Sequence, residues 1–189
     1  TNAHLLRGNA YYDVGRNYER MFESYNHVLS ANPNHVDVHR NLNIISEQEN
    51  DPKNVDKLIK FYETQVLPLE PSSFQAYDAL GVLYGKKKND LPNGIKYFEK
   101  ALEFPPANQS NMRDFVGVMQ DLAIAYGMSG KYPEALETNK KALKYQPNNA
   151  KILLNIGITY QQLGDTLKAQ SYMNQAVTLD PKLRSRLNQ

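Results

Sequence analysis

Leu122-Ala-Ile-Ala-Tyr126 and Ile156-Gly-Ile-Thr-Tyr160 are one phrase written twice, 34 positions apart from Tyr126 to Tyr160. Each is followed 21 residues after its tyrosine by a proline, Pro147 or Pro181. The phrase returns upstream as Gly8-Asn-Ala-Tyr11 and Leu80-Gly-Val-Leu-Tyr84. A fixed period of this size means stacked helical hairpins, each unit burying its apolar face against its neighbour. The fold class is therefore all-α, an α-solenoid of antiparallel helix hairpins. Such a stack is a surface for holding other chains.

The physical roles of the repeated residues follow from their sizes. Small residues at Gly8, Gly81, Ala123 and Gly157 let the first helix of a hairpin approach another helix closely, and Tyr11, Tyr84, Tyr126 and Tyr160 fill the space one turn later. Ala101, Ala142 and Ala176 serve the second helices in the same way. Pro33, Pro71, Pro106, Pro147 and Pro181 sit between units, where a missing N–H ends one helix and another starts. Gly15, Gly130 and Gly164 are placed at hairpin turns, where positive φ is expected.

With these residues the chain resembles the tetratricopeptide repeat family, whose unit has a large residue at position 4, Leu-Gly at 7 and 8, Tyr at 11, Ala at 20, an aromatic at 24, Ala at 27 and Pro at 32. Five repeats cover nearly the whole chain, at about 1–35, 36–73, 74–115, 116–149 and 150–183, read as a single domain over 1–189 with a partial C-terminal helix at 182–189. The family's form is a right-handed superhelix. Repeat four departs only at Asn139, where an aromatic is expected, and repeat five matches at every spacing with Met173 at that position. Repeat one carries one extra turn residue, so that Tyr25, Val28 and Pro33 come one position late. Repeat two is the weakest, with Asn43 and Ser46 in place of Gly and Tyr, although Val55, Leu58, Ile59, Tyr62 and Val66 still write one helix face.

Three segments break the period. The stretch from Pro106 to Val116 reads as a loop leading into an extended first helix, and Lys86-Lys-Lys-Asn-Asp90 as a solvated loop tip, with an acidic or phosphate-bearing partner as the alternative. Asp51 and Pro52 read as an N-cap and first helical residue, and Pro68 is expected to cut that helix short.

Composition excludes several classes. Twenty-two basic and 20 acidic residues leave a net charge of +2, which gives no preference for nucleic acid or anionic membrane. Without cysteine there are no disulfides or thiolate metal sites. No stretch approaches the roughly 20 apolar residues of a membrane span, and no charged-then-apolar leader opens the chain. A start at Thr1 without Met suggests a domain cut from a longer protein. His35 and His39 stand four apart, a metal-capable spacing, but no third ligand lies near in sequence, and His39 and His4 both occupy the large-residue position 4. No phosphate loop, nucleophile elbow or catalytic triad appears. The reading is non-enzymatic, with neither cofactor nor metal.

The resemblance places function on the concave face, lined by first-helix positions 2, 5, 6, 9, 12 and 13. The residues it selects as partner-binding are Asn9, Tyr12, Arg40, Asn41, Asp78, Gln120, Asp121, Lys151 and Asn155. The amides could bond an extended peptide backbone and Arg40 or Lys151 a carboxylate. Family members that grip the carboxyl terminus of chaperones need cations where this chain has Leu5, Gln75 and Ala79, so that clamp is not expected. The expected role is a protein-interaction scaffold holding a peptide segment or helix. The alternative is the partner- or substrate-reading part of a longer enzyme or membrane-anchored assembly factor. The apolar strip of Leu167, Tyr172, Met173, Ala176 and Val177, covered only by Leu183 and Leu187, raises the further expectation of end-to-end self-association.

Overall fold

The computed structural model describes residues 2–105 and 112–184, which contain ten helices and, among them, no strand. Close contacts divide the chain at Pro105 and Pro106 into two compact units. The first unit holds α1 (Asn2–Gly15), α2 (Tyr18–Ala31), α3 (Val36–Gln48), α4 (Pro52–Phe61), α5 (Phe74–Val82) and α6 (Leu91–Leu102). The second holds α7 (Met112–Met128), α8 (Tyr132–Tyr145), α9 (Ala150–Gln162), α10 (Thr166–Leu179) and a closing 3₁₀ turn, Pro181–Leu183. Consecutive helices pair α1 with α2, α5 with α6, α7 with α8 and α9 with α10.

Helix starts are written in short polar side chains. Asn17, Asp51, Ser73, Asp90, Asn149 and Asp165 each accept a hydrogen bond from a backbone N–H of the first turn, satisfying donors that the helix itself leaves free. The expected cap at Asp51, followed by Pro52, is present, with bonds from Lys53 N and Asn54 N.

The small residues at position 8 face the side chains at position 24. A Cβ on Gly8 would lie 2.5 Å from the Tyr25 ring, one on Gly81 2.4 Å from Phe98, and one on Gly157 2.7 Å from Met173 Cγ. The chain trades size across each hairpin, so that a bulky partner on the second helix requires a bare backbone on the first. Repeat four shifts the trade, with Ala123 and the smaller Asn139, both buried. In repeat two Asn43 stands where glycine is expected, and α3 and α4 do not approach as closely as the other pairs. Tyr62 fills that wider gap, fully buried, and donates to Asn43 Oδ1 at 3.2 Å. Ser46, in the tyrosine position, is buried and donates to the Leu42 carbonyl. The closest approach of backbone to backbone lies in repeat three, where a Cβ on Gly94 would fall 2.6 Å from the Cα of Gly85.

Four expectations need correction. Pro68 does not end the second helix of repeat two at once, because α4 continues through a π-helical turn, Tyr62–Val66, and a last turn, Leu67–Leu69, that contains the proline. The wide turn, closed by Leu67 N donating to Tyr62 O, gives the proline ring room where a regular helix would clash with the carbonyl four residues back. Gly130 and Gly164 do take positive φ, but in the first turn Arg16 rather than Gly15 has the left-handed conformation, at φ 47°; the extra residue of repeat one moves that position on by one. The lysines of 86–88 are not a free loop tip, as described below. The apolar strip of the last hairpin is largely covered, since Met173, Ala176 and Val177 are buried with Leu153, Leu154 and Leu183 in one cluster; only Leu167, 85% exposed, stands wholly in solvent. Leu187 and residues 107–111 lie outside the described residues, while α7 begins at Met112, four residues ahead of the repeat boundary.

Candidate functional site

In the first unit, the positions chosen from the repeat pattern converge on a cavity of about 240 Å³ between repeats one and two. Asn9, Tyr12 and Asp13 of α1, Tyr25 of α2, and Asn41, Ile44, Ile45 and Gln48 of α3 line it. Asn9 is its hub. Its Oδ1 accepts from Tyr25 OH at 2.6 Å and from Asn41 Nδ2 at 2.9 Å. Asn9 and Asn41 therefore lock one another across the repeat boundary, and the remaining amide groups, one donor pair and one acceptor, are held in fixed directions. The Tyr12 hydroxyl is buried without a hydrogen-bond partner. Burial first pushes the Tyr25 phenol up to about 12; the neighbouring Asn41 amide opposes this and the Asp13 charge adds to it.

Arg40 is turned to its own helix. It pairs with Asp37 at 2.6 Å, both side chains more than half exposed, a bond weak enough for a stronger carboxylate to displace. Asp78 is half-buried. Ala79 and Val82, assigned to the open face by position, are buried.

The turn edge of this unit is tied by bonds that the repeat pattern does not encode. Glu49, buried between α3 and α4, accepts from Tyr18 OH and from the backbone N–H groups of Asn50 and Asp51, and Arg16 lies 3.5 Å away. Burial alone would raise its carboxyl; the bonds from Tyr18, Asp51 and Asn50, with Arg16 beside them, outweigh burial and hold it below the ordinary value. Lys86 and Lys87 reach back to Glu47, Lys87 also to Asn50, and Lys88 to Asp56. The cations read as a solvated loop tip thus reach from repeat three to repeat two. Glu63, in the π turn of repeat two, accepts from both Tyr84 and Tyr97.

His39 is buried and its Nε2–H donates to the Pro33 carbonyl at 2.7 Å. Burial lowers its pKa, and Glu70 stands 3.8 Å away. His4 stacks on His27. Among the described residues no group of three or more His, Cys, Asp or Glu could hold a metal ion, and no helix is long and apolar enough to cross a membrane.

The second unit presents a different face. Gly117, Gln120, Asp121, Ile124, Gly127 and Met128 share one side of α7, at intervals of three and four residues. Ile124, Met128 and, on α9, Ile158 are exposed aliphatics. Lys151 is exposed and Asn155 half-buried on the same helix, while Leu154 is buried. A Cβ built on Gly117 or Gly127 would meet nothing within 4 Å. These two glycines are unlike Gly8, Gly81, Gly94 and Gly157, whose missing side chains make room for neighbours. A second cavity, of about 380 Å³, lies on the other side of the last hairpin, lined by Pro147, Asn148, Leu153, Asn174, Gln175, Thr178 and Leu179. Reasoning from first-helix positions could not reach it, because most of its wall belongs to α10 and to the connection before α9.

Paired hairpins with a bare or small residue against a bulky one, stacked and capped as above, define a helical-repeat interaction protein. A model described as "Tetratricopeptide repeat" matches residues 74–108 and 150–183, and one described as "TPR repeat" matches 125–164. The chain belongs to the tetratricopeptide repeat family. Among curated proteins it is 40% identical over 90 residues to the "Photosystem I assembly protein Ycf3" of Rippkaea orientalis, a match covering 46% of this chain and 51% of that protein. It is 28% identical over 128 residues to the "Hsp70-Hsp90 organizing protein 1" of Glycine max, covering 65% of this chain and 21% of that one. The chain thus spans about half the length of the first relative. Among solved structures, the crystal structure of MamA protein superposes with a TM-score of 0.70 at 19% identity over 97% of this chain and 93% of that one. YrrB, described as a TPR protein with an unusual peptide-binding site, gives 0.66 at 17% identity over 94% and 85%. At these identities the structural likeness is one of fold.

Proposed function

We propose that the chain is a non-catalytic scaffold whose first-helix faces hold an extended segment or helix of a partner protein. The observation that carries this reading is the pair Gly117 and Gly127. Glycine inside a helix costs about 1 kcal/mol relative to alanine, and here neither position is needed by the chain's own packing. A bare backbone beside exposed Ile124 and Met128 suits the close approach of another chain. Asn9, Tyr12 and Asn41 in the first unit, and Gln120, Asp121, Lys151 and Asn155 in the second, are the proposed polar contacts, with Arg40 and Asp78 at the margin. The names of the relatives, an assembly protein and an organizing protein, agree with a role in bringing other chains together.

A second reading is favoured by the partial overlap with the assembly protein: this chain would be the partner-reading portion of an assembly factor. The test for both is selection of peptides from a random displayed library, followed by calorimetry with Asn41→Ala and Ile158→Asp variants. Peptides whose affinity drops in one or both variants, at unchanged melting temperature, support the reading. Peptides indifferent to both place recognition elsewhere, with the α10 cavity the next candidate.

A further inference from the structure

The cavity between repeats one and two has a chemistry narrower than a general peptide groove. Its one acidic wall residue is Asp13, which is exposed and has no ion-pair partner among the described residues. No lysine or arginine lines it. Arg16 has its guanidinium 5.7 Å from the centre of the Tyr12 ring and 3.5 Å from the buried Glu49 carboxylate. Around Asp13 stand the rings of Tyr12 and Tyr25, the buried and unpartnered Tyr12 hydroxyl, and the side chains of Asn41 and Gln48. Ile44 and Ile45 supply an apolar wall.

A carboxylate entering this space would meet a like charge. A cationic side chain on an aliphatic stem meets every feature: its methylenes lie along isoleucine, its charge faces Asp13 and aromatic rings, and its N–H groups reach phenol and amide oxygens that can accept them. We infer that this pocket receives a lysine or arginine side chain of the partner protein, with Asp13 as its counter-charge and Tyr12 as the hydroxyl that accepts from it. The inference rests on the proposed function, since it names the residue type that the first-unit face selects.

The test begins by panning a random displayed peptide library against the whole chain, once directly and once after depletion on an Ile44→Arg variant, whose added cation fills the pocket. Peptides that survive depletion should carry Arg or Lys at one fixed position. Replacing that residue by citrulline or norleucine should weaken binding about five-fold, the scale of one exposed ion pair. Asp13→Asn should cost the same, with the two losses not additive, and raised salt should shrink the effect. Tyr12→Phe should weaken binding further. Surviving peptides without a fixed basic residue, or with affinity unchanged by Asp13→Asn, overturn the inference and leave the scaffold reading standing. If direct panning yields peptides and depletion removes none of them selectively, the pocket has no such role. If direct panning yields none, the scaffold reading falls and this inference falls with it.

Discussion

Repeats one to three and repeats four to five solve the same packing problem with different chemistry. In the first unit the position-8 glycines of repeats one and three sit under aromatic rings and Asn43 of repeat two accepts from the Tyr62 hydroxyl, and the turn edge is laced by Arg16, Glu49, Glu47, Lys87, Lys88 and Asp56. In the second, the partners at position 24 are Asn139 and Met173, and Tyr126 and Tyr160 are covered by lysines 131, 140 and 168, about one ring-contact distance away. Irregular spacing is what the lacing accompanies. Where the period is broken by an extra turn residue or a missing glycine, side-chain hydrogen bonds and ion pairs between repeats accompany the looser helix-to-helix fit.

The comparison breaks most sharply at Glu49. Glu49→Ala leaves the buried Tyr18 hydroxyl and two backbone N–H groups without their acceptor, and should cost about 3–5 kcal/mol by denaturant unfolding. A loss under about 1 kcal/mol would mean that the lacing is ornamental. Gly94→Ala should cost about 2–3 kcal/mol, because the new methyl meets the Gly85 backbone and not the end of a flexible side chain; crystals of the variant should show the π-helical turn Leu83–Lys87, which follows α5, moved away from α6. A smaller effect belongs to His39. Its folded pKa lies below 6.5, so the unfolded chain takes up a proton first, and stability should fall as pH drops below 6.5 toward the folded value. Glu70, raised by burial, acts with the opposite sign from 4.5 upward, so the His39 effect is read at the upper end of that window. His39→Gln should flatten it in thermal melts. Arg40→Ala should be the smallest change, within about 0.5 kcal/mol, since it removes one exposed pair.

The repeat pattern made the hairpins legible because size at positions 8, 11 and 24 is a covalent property of each residue. Even the failures of the pattern were informative: Asn43 and Ser46 marked the hairpin whose helices stand apart. What could not be read was where polar side chains found partners across repeats. Glu49 drew no reading of its own, and Lys86 to Lys88 read as a loop tip, because their partners lie one repeat away in space at separations no periodicity records. The candidate face was legible by position, and Asn9, Tyr12 and Asn41 do line one cavity; Ala79, Val82 and Leu154 were misplaced because a position rule ignores how closely neighbouring helices cover it. The meaning of Gly117 and Gly127 needed coordinates, since a glycine that makes room and one that faces open space are the same letter.

Those two glycines give the most direct test of the scaffold account. The double variant Gly117→Ala/Gly127→Ala should be more stable than the natural chain by about 1–2 kcal/mol, from helix propensity alone, while calorimetry with peptides selected against the second unit should find affinity reduced about ten-fold or more. A gain in stability with affinity unchanged would show that the bare backbone of α7 serves no partner, and would contradict the account.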